Sequence, residues 1–282
     1  MNKDFEKAKH LIIDFIREHL AGDADGLEFF NFNTLENSEK FGCPEREFDC
    51  DDTNILRAFY IFLWGDIFPE LTFDNCGRNK DYRGDTMNTF NTMFGRPIEE
   101  REGFFSGLEK YSPDNALREK VRNFEKMIYR IGNYIVLPNR FIYCRNQEGK
   151  FVKNTLNTYR GCSNIHRDFF DRFLLALESY LTNQTANDID FDRLMKQNSF
   201  AFDNIKGQEG FREFVRRNFL ENYCTDSLSA QKIYPMNFHW MNVSSRSQYL
   251  SDAVKYISNA EQLIISRSRM MTAAIKKQLE IY

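Results

Sequence analysis

Apolar residues return at helical spacing in almost every stretch long enough to show a period, and this repeat limits the chain more than any single motif. Near the start, Phe5, Ala8, Ile12, Ile16 and Leu20 recur every three or four residues, with Phe15 beside them. That spacing lays one apolar stripe along a helix over 3–20, which the turn-forming "AGDADG" ends. "DDTNILRAFYIFLWG" carries the same signature: Asp or Thr at the cap, then Ile55, Leu56, Phe59, Phe62 and Leu63 on one broad face. Further helices are predicted near 97–110, 114–131, 164–182, 189–198 and 208–223. A long C-terminal helix is predicted over about 246–278, docked through Val254, Ile257, Ala260, Ile264 and Met271, with its basic surplus, Arg267 and Arg269 included, on a solvated face. "YRGDTMNTFNTMFG" reads as a short helix capped by Asp85 and stopped by Gly95. Extended structure is expected only in short pieces near 27–34, 132–138 and 150–158, the last pairing with the second. No repeat, low-complexity tract or Pro/Gly/Ser linker divides the chain. The expected fold class is mainly α: a single helical domain over 1–282 with a minor element of short β-strands.

Composition enters the argument mainly by exclusion. With 42% hydrophobic residues and 28 Phe among 282 positions, the chain can bury a substantial core, which excludes global disorder. A formal net charge of -3 does not supply the clustered positive charge on which nonspecific nucleic-acid binding rests. No apolar run approaches the roughly 18 residues that a membrane-spanning helix needs, so no membrane association is expected. The charged N-terminus lacks the pattern of a signal peptide, and the six Cys form no C-x-x-C pair. Reduced thiols in a cytoplasmic protein are the expectation, without a metal centre.

The motifs with known mechanics are missing. There is no phosphate-cradling Gly-rich loop, no H-E-x-x-H and no G-x-S-x-G. What remains is a scatter of polar residues at turns and helix starts. "NTLNTYRGCSNIHRDFFDRFLLAL" is the richest stretch, an Arg-Gly turn running into an amphipathic helix. Its Arg160 can bind an anion or lock two segments, and is expected to approach Asp85, Asp168 or Asp171. Arg167 with Asp171 and Asp168 with Arg172 are spaced i,i+4, pairs that contribute about 0.2–0.5 kcal/mol each on a wet face. Asn88, one helical turn from Asp85, and Asn133 and Asn157 in extended segments complete the candidate polar site: Asp85, Asn88, Asn133, Asn157, Arg160, Asp168, Asp171 and Arg172. No cofactor is indicated. The expected role is a small-ligand or protein binding module, with a protein partner or a small anionic ligand. The alternative is an enzyme, a hydrolase or metal-assisted nuclease with a polar cleft around Asp85, Arg160 and Asp171.

The order of motifs carries one resemblance. "GDTMNTF", "RIGNYIVLPN", "TLNTYRGCSNIHRDFFDRFLLALESYL", "GFREFVRRNFLENYCTD" and the closing "YLSDAVKYISNAEQLIISRSRMM" follow one another as in a bacterial family known only as a domain of unknown function. The likeness runs from about Phe29 to Met271, is loose at each motif, and implies a single domain in a bacterial protein without implying an activity. The "IGNYIVLP" phrase is also similar to one in HNH-type nucleases. There a His general base precedes the phrase, whereas here Tyr129 and Arg130 stand in that place.

Overall fold

The computed structural model describes residues 3–35, 50, 53–77, 80–88, 115–138, 143–145, 151–153, 169–183, 189–203, 205–234 and 246–280. Among them helix dominates, as the periodicity requires. Helix α1, Lys3–His19, buries Ala8, Ile12, Phe15 and Ile16 on one face, against α2, Asn54–Trp64. Thr53 caps α2 by accepting from the Leu56 N–H at 3.2 Å and donating to the Cys50 carbonyl at 2.8 Å. Every residue of α2 from Ala58 to Trp64 is buried, so α2 is the centre of its half rather than an amphipathic surface helix. Phe15 meets the Phe30 and Phe59 rings edge-on and stacks on Phe32, at centroid distances of 5.0, 6.0 and 5.8 Å.

The expected strand at 27–34 is instead two 3₁₀ turns, Ala24–Glu28 and Phe32–Thr34. Asp23 accepts from the Asp25 N–H and Asn31 from the Asn33 N–H, each at 2.9 Å. These side chains offer the backbone a local partner and so compete with extended pairing.

A second correction concerns Asp85. It caps no helix: Tyr82–Thr86 is strand β1, antiparallel to β2, Tyr134–Pro138, with Asp85 opposite Ile135. The cap-like composition is overridden by the β2 partner. Gly84 makes the pairing possible, since a Cβ there would collide with the Tyr60 ring. The predicted partner of β2, 150–158, pairs elsewhere: Phe151–Lys153, β4, is antiparallel to Tyr143–Arg145, β3.

The remaining helices are α3, Asn115–Glu125; α4, Phe170–Asn183; α5, Ile189–Gln197; α6, Ser199–Phe202; α7, Gly207–Arg217; and α8, Arg246–Leu279. The predicted helix at 97–110 and the Gly95 stop lie outside the described residues. No described helix is long and apolar enough to cross a membrane.

Two apolar clusters result, and β2 stands between them. Its alternation sends Tyr134 and Val136 into the cluster of α1 and α2, and Ile135 and Leu137 into the cluster of α3, α4, α5 and α7. Helix α8, roughly 50 Å long at 1.5 Å per residue, serves both. Ala253, Tyr256, Ile257, Ala260, Leu263 and Ile264 enter the second cluster, and Met271, Ile275 and Leu279 the first. Val254, expected on the docking stripe, is 38% exposed. Between the two apolar sections of α8 lie buried Arg267 and Ser268, and Thr272 is buried beside Met271.

Candidate functional site

A polar seam occupies the boundary between the clusters. It begins where the β1–β2 ladder ends. Met87 N–H donates to the Asn133 carbonyl at 2.8 Å, and the next residue, Asn88, meets the Asn133 side chain. Asn133 Oδ1 accepts from the Asn88 backbone N–H at 3.0 Å and from Asn88 Nδ2 at 3.1 Å. Its Nδ2 donates to the Asn88 carbonyl at 2.9 Å and to the Ile128 carbonyl at 2.8 Å. All four hydrogen-bonding positions of that amide are therefore filled. The Asn88 amide fills three of its four: Nδ2 also donates to Tyr223 Oη at 3.0 Å, and Oδ1 accepts from Tyr234 Oη at 2.6 Å. Asn88 and Asn133 are both 0% exposed. Burial pushes both phenols up, so they stay neutral hydrogen-bonding groups.

Asp171 joins the seam through the backbone. It is fully buried, contrary to its expected place in a wet i,i+4 pair. Its Oδ2 accepts from the N–H groups of Ile233 and Tyr234 at 2.8 and 3.0 Å, and Oδ1 from Arg172 N–H at 2.9 Å. Burial pushes the carboxyl up, opposed by the Tyr234 and Ile233 N–H groups and by the Arg172 guanidinium. Arg172 lies 4.3 Å from the centroid of the Phe169 ring. Two turns along α4 from Asp171, Glu178 Oε2 accepts from Ala230 N–H at 2.9 Å and Oε1 from Gln208 Nε2 at 2.6 Å. Two carboxylates on one helix face thus hold the strap that leads to Tyr234.

The other end of the seam is Arg267. It was expected in solvent and is 1% exposed. Its Nε donates to the Asn218 carbonyl at 2.9 Å and its Nη1 to the carbonyls of Gly132, at 2.8 Å, and Tyr134. The Trp64 ring centroid lies 5.8 Å away, and Trp64 Nε1 donates to Asn218 Oδ1 at 2.8 Å. Burial lowers the guanidinium from its ordinary value to about 10. Gly132 permits the approach: a Cβ there would strike the α8 backbone at Ile264 and Ser268, and its N–H donates to Ser268 Oγ at 3.1 Å.

Of the residues singled out in the sequence, Asn88 and Asn133 are thus brought into direct contact, and Asp171 reaches them through Tyr234. Asp85 is three residues upstream of Asn88 on β1, its Oδ1 accepting from Thr86 N–H at 2.9 Å. Asn157, Arg160 and Asp168 lie outside the described residues. Tyr223, Tyr234, Asn218 and Arg267 were missed. For Arg267 a signal existed, since it fills the gap in the stripe Ala260, Ile264, Met271 at helical spacing. Among the described residues no three His, Cys, Asp or Glu side chains gather where a metal could be held.

Compared with family models, curated proteins and solved structures, the chain matches none, and the family likeness rests on the order of its sequence motifs alone.

Proposed function

We propose that this protein is a small-ligand binding module whose receiving region is the polar seam. One observation carries the reading. A chain with apolar residues enough to fill its interior gathers Asn88, Asn133, Asn218, Tyr223, Tyr234, Asp171 and Arg267 into one buried boundary. Burying such groups costs free energy even when they are bonded, and a cation without a carboxylate costs most. Apolar residues of similar volume would hold the clusters together at least as well. A seam kept polar is best explained by recognition.

Two further observations favour a small ligand and binding without chemistry. The exposed large apolar side chains stand apart, Phe29 on a turn and Leu175, Phe200 and Val254 on α4, α6 and α8, which suits no protein-docking patch among the described residues. An enzyme around Asp85, Arg160 and Asp171 has less support. Both Asp171 oxygens are engaged by backbone N–H groups, and the seam phenols are shifted away from proton transfer.

A thermal-shift screen of the full chain against small metabolites tests the reading. A ligand at 100 times its Kd adds about 2.7 kcal/mol, a shift of several degrees. A screen in which no compound moves the midpoint, with turnover of one of them detected instead, would favour the enzyme reading.

A further inference from the structure

Arg267 carries five N–H donors, and their use is uneven. Nε holds the Asn218 carbonyl and Nη1 holds the carbonyls of Gly132 and Tyr134. Nη2, with two N–H groups, is buried and has no hydrogen-bond partner. No ion pair joins the guanidinium to a described carboxylate. Its neighbours are neutral dipoles and the Trp64 face. Glu221 acts on it only through space, and Glu221 Oε2 is itself buried without a partner. An uncompensated cation with an idle donor nitrogen is among the most costly groups a fold can retain.

We infer that Arg267 Nη2 receives one carboxylate oxygen of a small ligand, an inference that rests on the binding-module reading and names its ligand class. The donor count sets the class. With Nε and Nη1 engaged, the two-nitrogen fork that grips phosphate or carboxylate bidentately is closed. One nitrogen remains, suited to a single oxygen end-on. One negative charge neutralises one guanidinium. A multiply charged phosphate would leave excess charge in a region of low dielectric, against Glu221. The Trp64 ring lies 5.8 Å from the guanidinium, which stands between the two apolar clusters.

Glu221 lies on the Glu221–Tyr223 turn packed against α8, and is only partly exposed. Its charge strengthens the guanidinium and opposes an incoming anion, so its removal should tighten anion binding.

The test uses the full chain and three probes at constant ionic strength: sodium acetate, chloride and sulfate. Thermal midpoints are followed against probe concentration for wild type, Arg267→Met and Glu221→Gln. Acetate is expected to raise the wild-type midpoint in a saturable way, beyond chloride and sulfate. Arg267→Met should abolish that saturable rise while still melting cooperatively, and Glu221→Gln should lower the acetate Kd several-fold. If Arg267→Met fails to fold, Glu221→Gln still decides: an unchanged acetate Kd overturns the inference. Equal shifts from all three salts in wild type and Arg267→Met overturn it as well, since they report bulk salt. A screened ligand whose stabilisation survives Arg267→Met also overturns it, while leaving the binding-module reading standing.

Discussion

Asn133 uses one side-chain amide to close the end of a β-ladder, bind the Asn88 side chain and fix the Ile128 carbonyl. Truncation strands several buried partners at once, each leaving a desolvation penalty of about 1–3 kcal/mol. Asn133→Ala is therefore expected to destabilise by roughly 3–5 kcal/mol. Tyr234→Phe removes one hydroxyl bonded to Asn88 and should cost only about 1–2 kcal/mol. Urea unfolding of both variants checks the order; a Tyr234→Phe protein less stable than Asn133→Ala would mean that the phenol, not the amide, organises the seam. In the sequence, Asn88 stood out one helical turn from Asp85, and Asn133 as a polar residue in an extended segment. Tyr223 and Tyr234 did not, because a Tyr reads as core material until its hydroxyl has a partner in space. Arg267 was misplaced for a related reason: charge outweighed its position on an apolar stripe.

The strap from Thr225 to Tyr234 has no helix or named strand of its own, and α4 supplies its anchors through Asp171 and Glu178. From α8, Asn259 Nδ2 adds a bond to the Ile233 carbonyl at 3.0 Å. Asp171→Leu keeps roughly the volume but removes both acceptor oxygens, leaving the Ile233 and Tyr234 N–H groups without their partner. Amide exchange at Ile233 and Tyr234 should quicken at least tenfold, about 1.4 kcal/mol of lost protection. Unchanged exchange there would show that the carboxylate does not hold the strap. Helices such as α1, α2 and α8 were readable because a 3.6-residue stripe needs only local sequence. The strands were harder. Pairing of β1 with β2 joins residues about fifty positions apart, and Gly84 matters only because the Tyr60 ring lies against it. Nothing local distinguishes "RGDT" in that strand from "RGDT" before a helix.

The two apolar clusters share β2 and α8, so the molecule is expected to unfold as one unit, a property with a pH signature. The Cys224 thiol, 7% exposed, is pushed from 9.0 to about 12 by burial and then by Glu178 and Glu221. For an acid whose folded value is raised, the stability is full below the unfolded value and is lost as pH rises through it toward the folded value. Between pH 9 and 10 stability should therefore fall by up to about 1.4 kcal/mol per pH unit, and Cys224→Ala should flatten that slope. Above pH 10 the lowered Arg267 value acts in the opposite sense, so denaturant titrations from pH 8 to 10 are the useful range.

The seam's central role is tested most directly by hydrogen exchange, read by mass spectrometry, on wild type and Asn133→Ala. If Asn88, Asn133 and Arg267 tie the clusters into one cooperative unit, peptides from α2 and from α4 will lose protection by the same factor. Loss confined to α4, with α2 still protected as in wild type, would show two independent cores and a seam that merely lies between them.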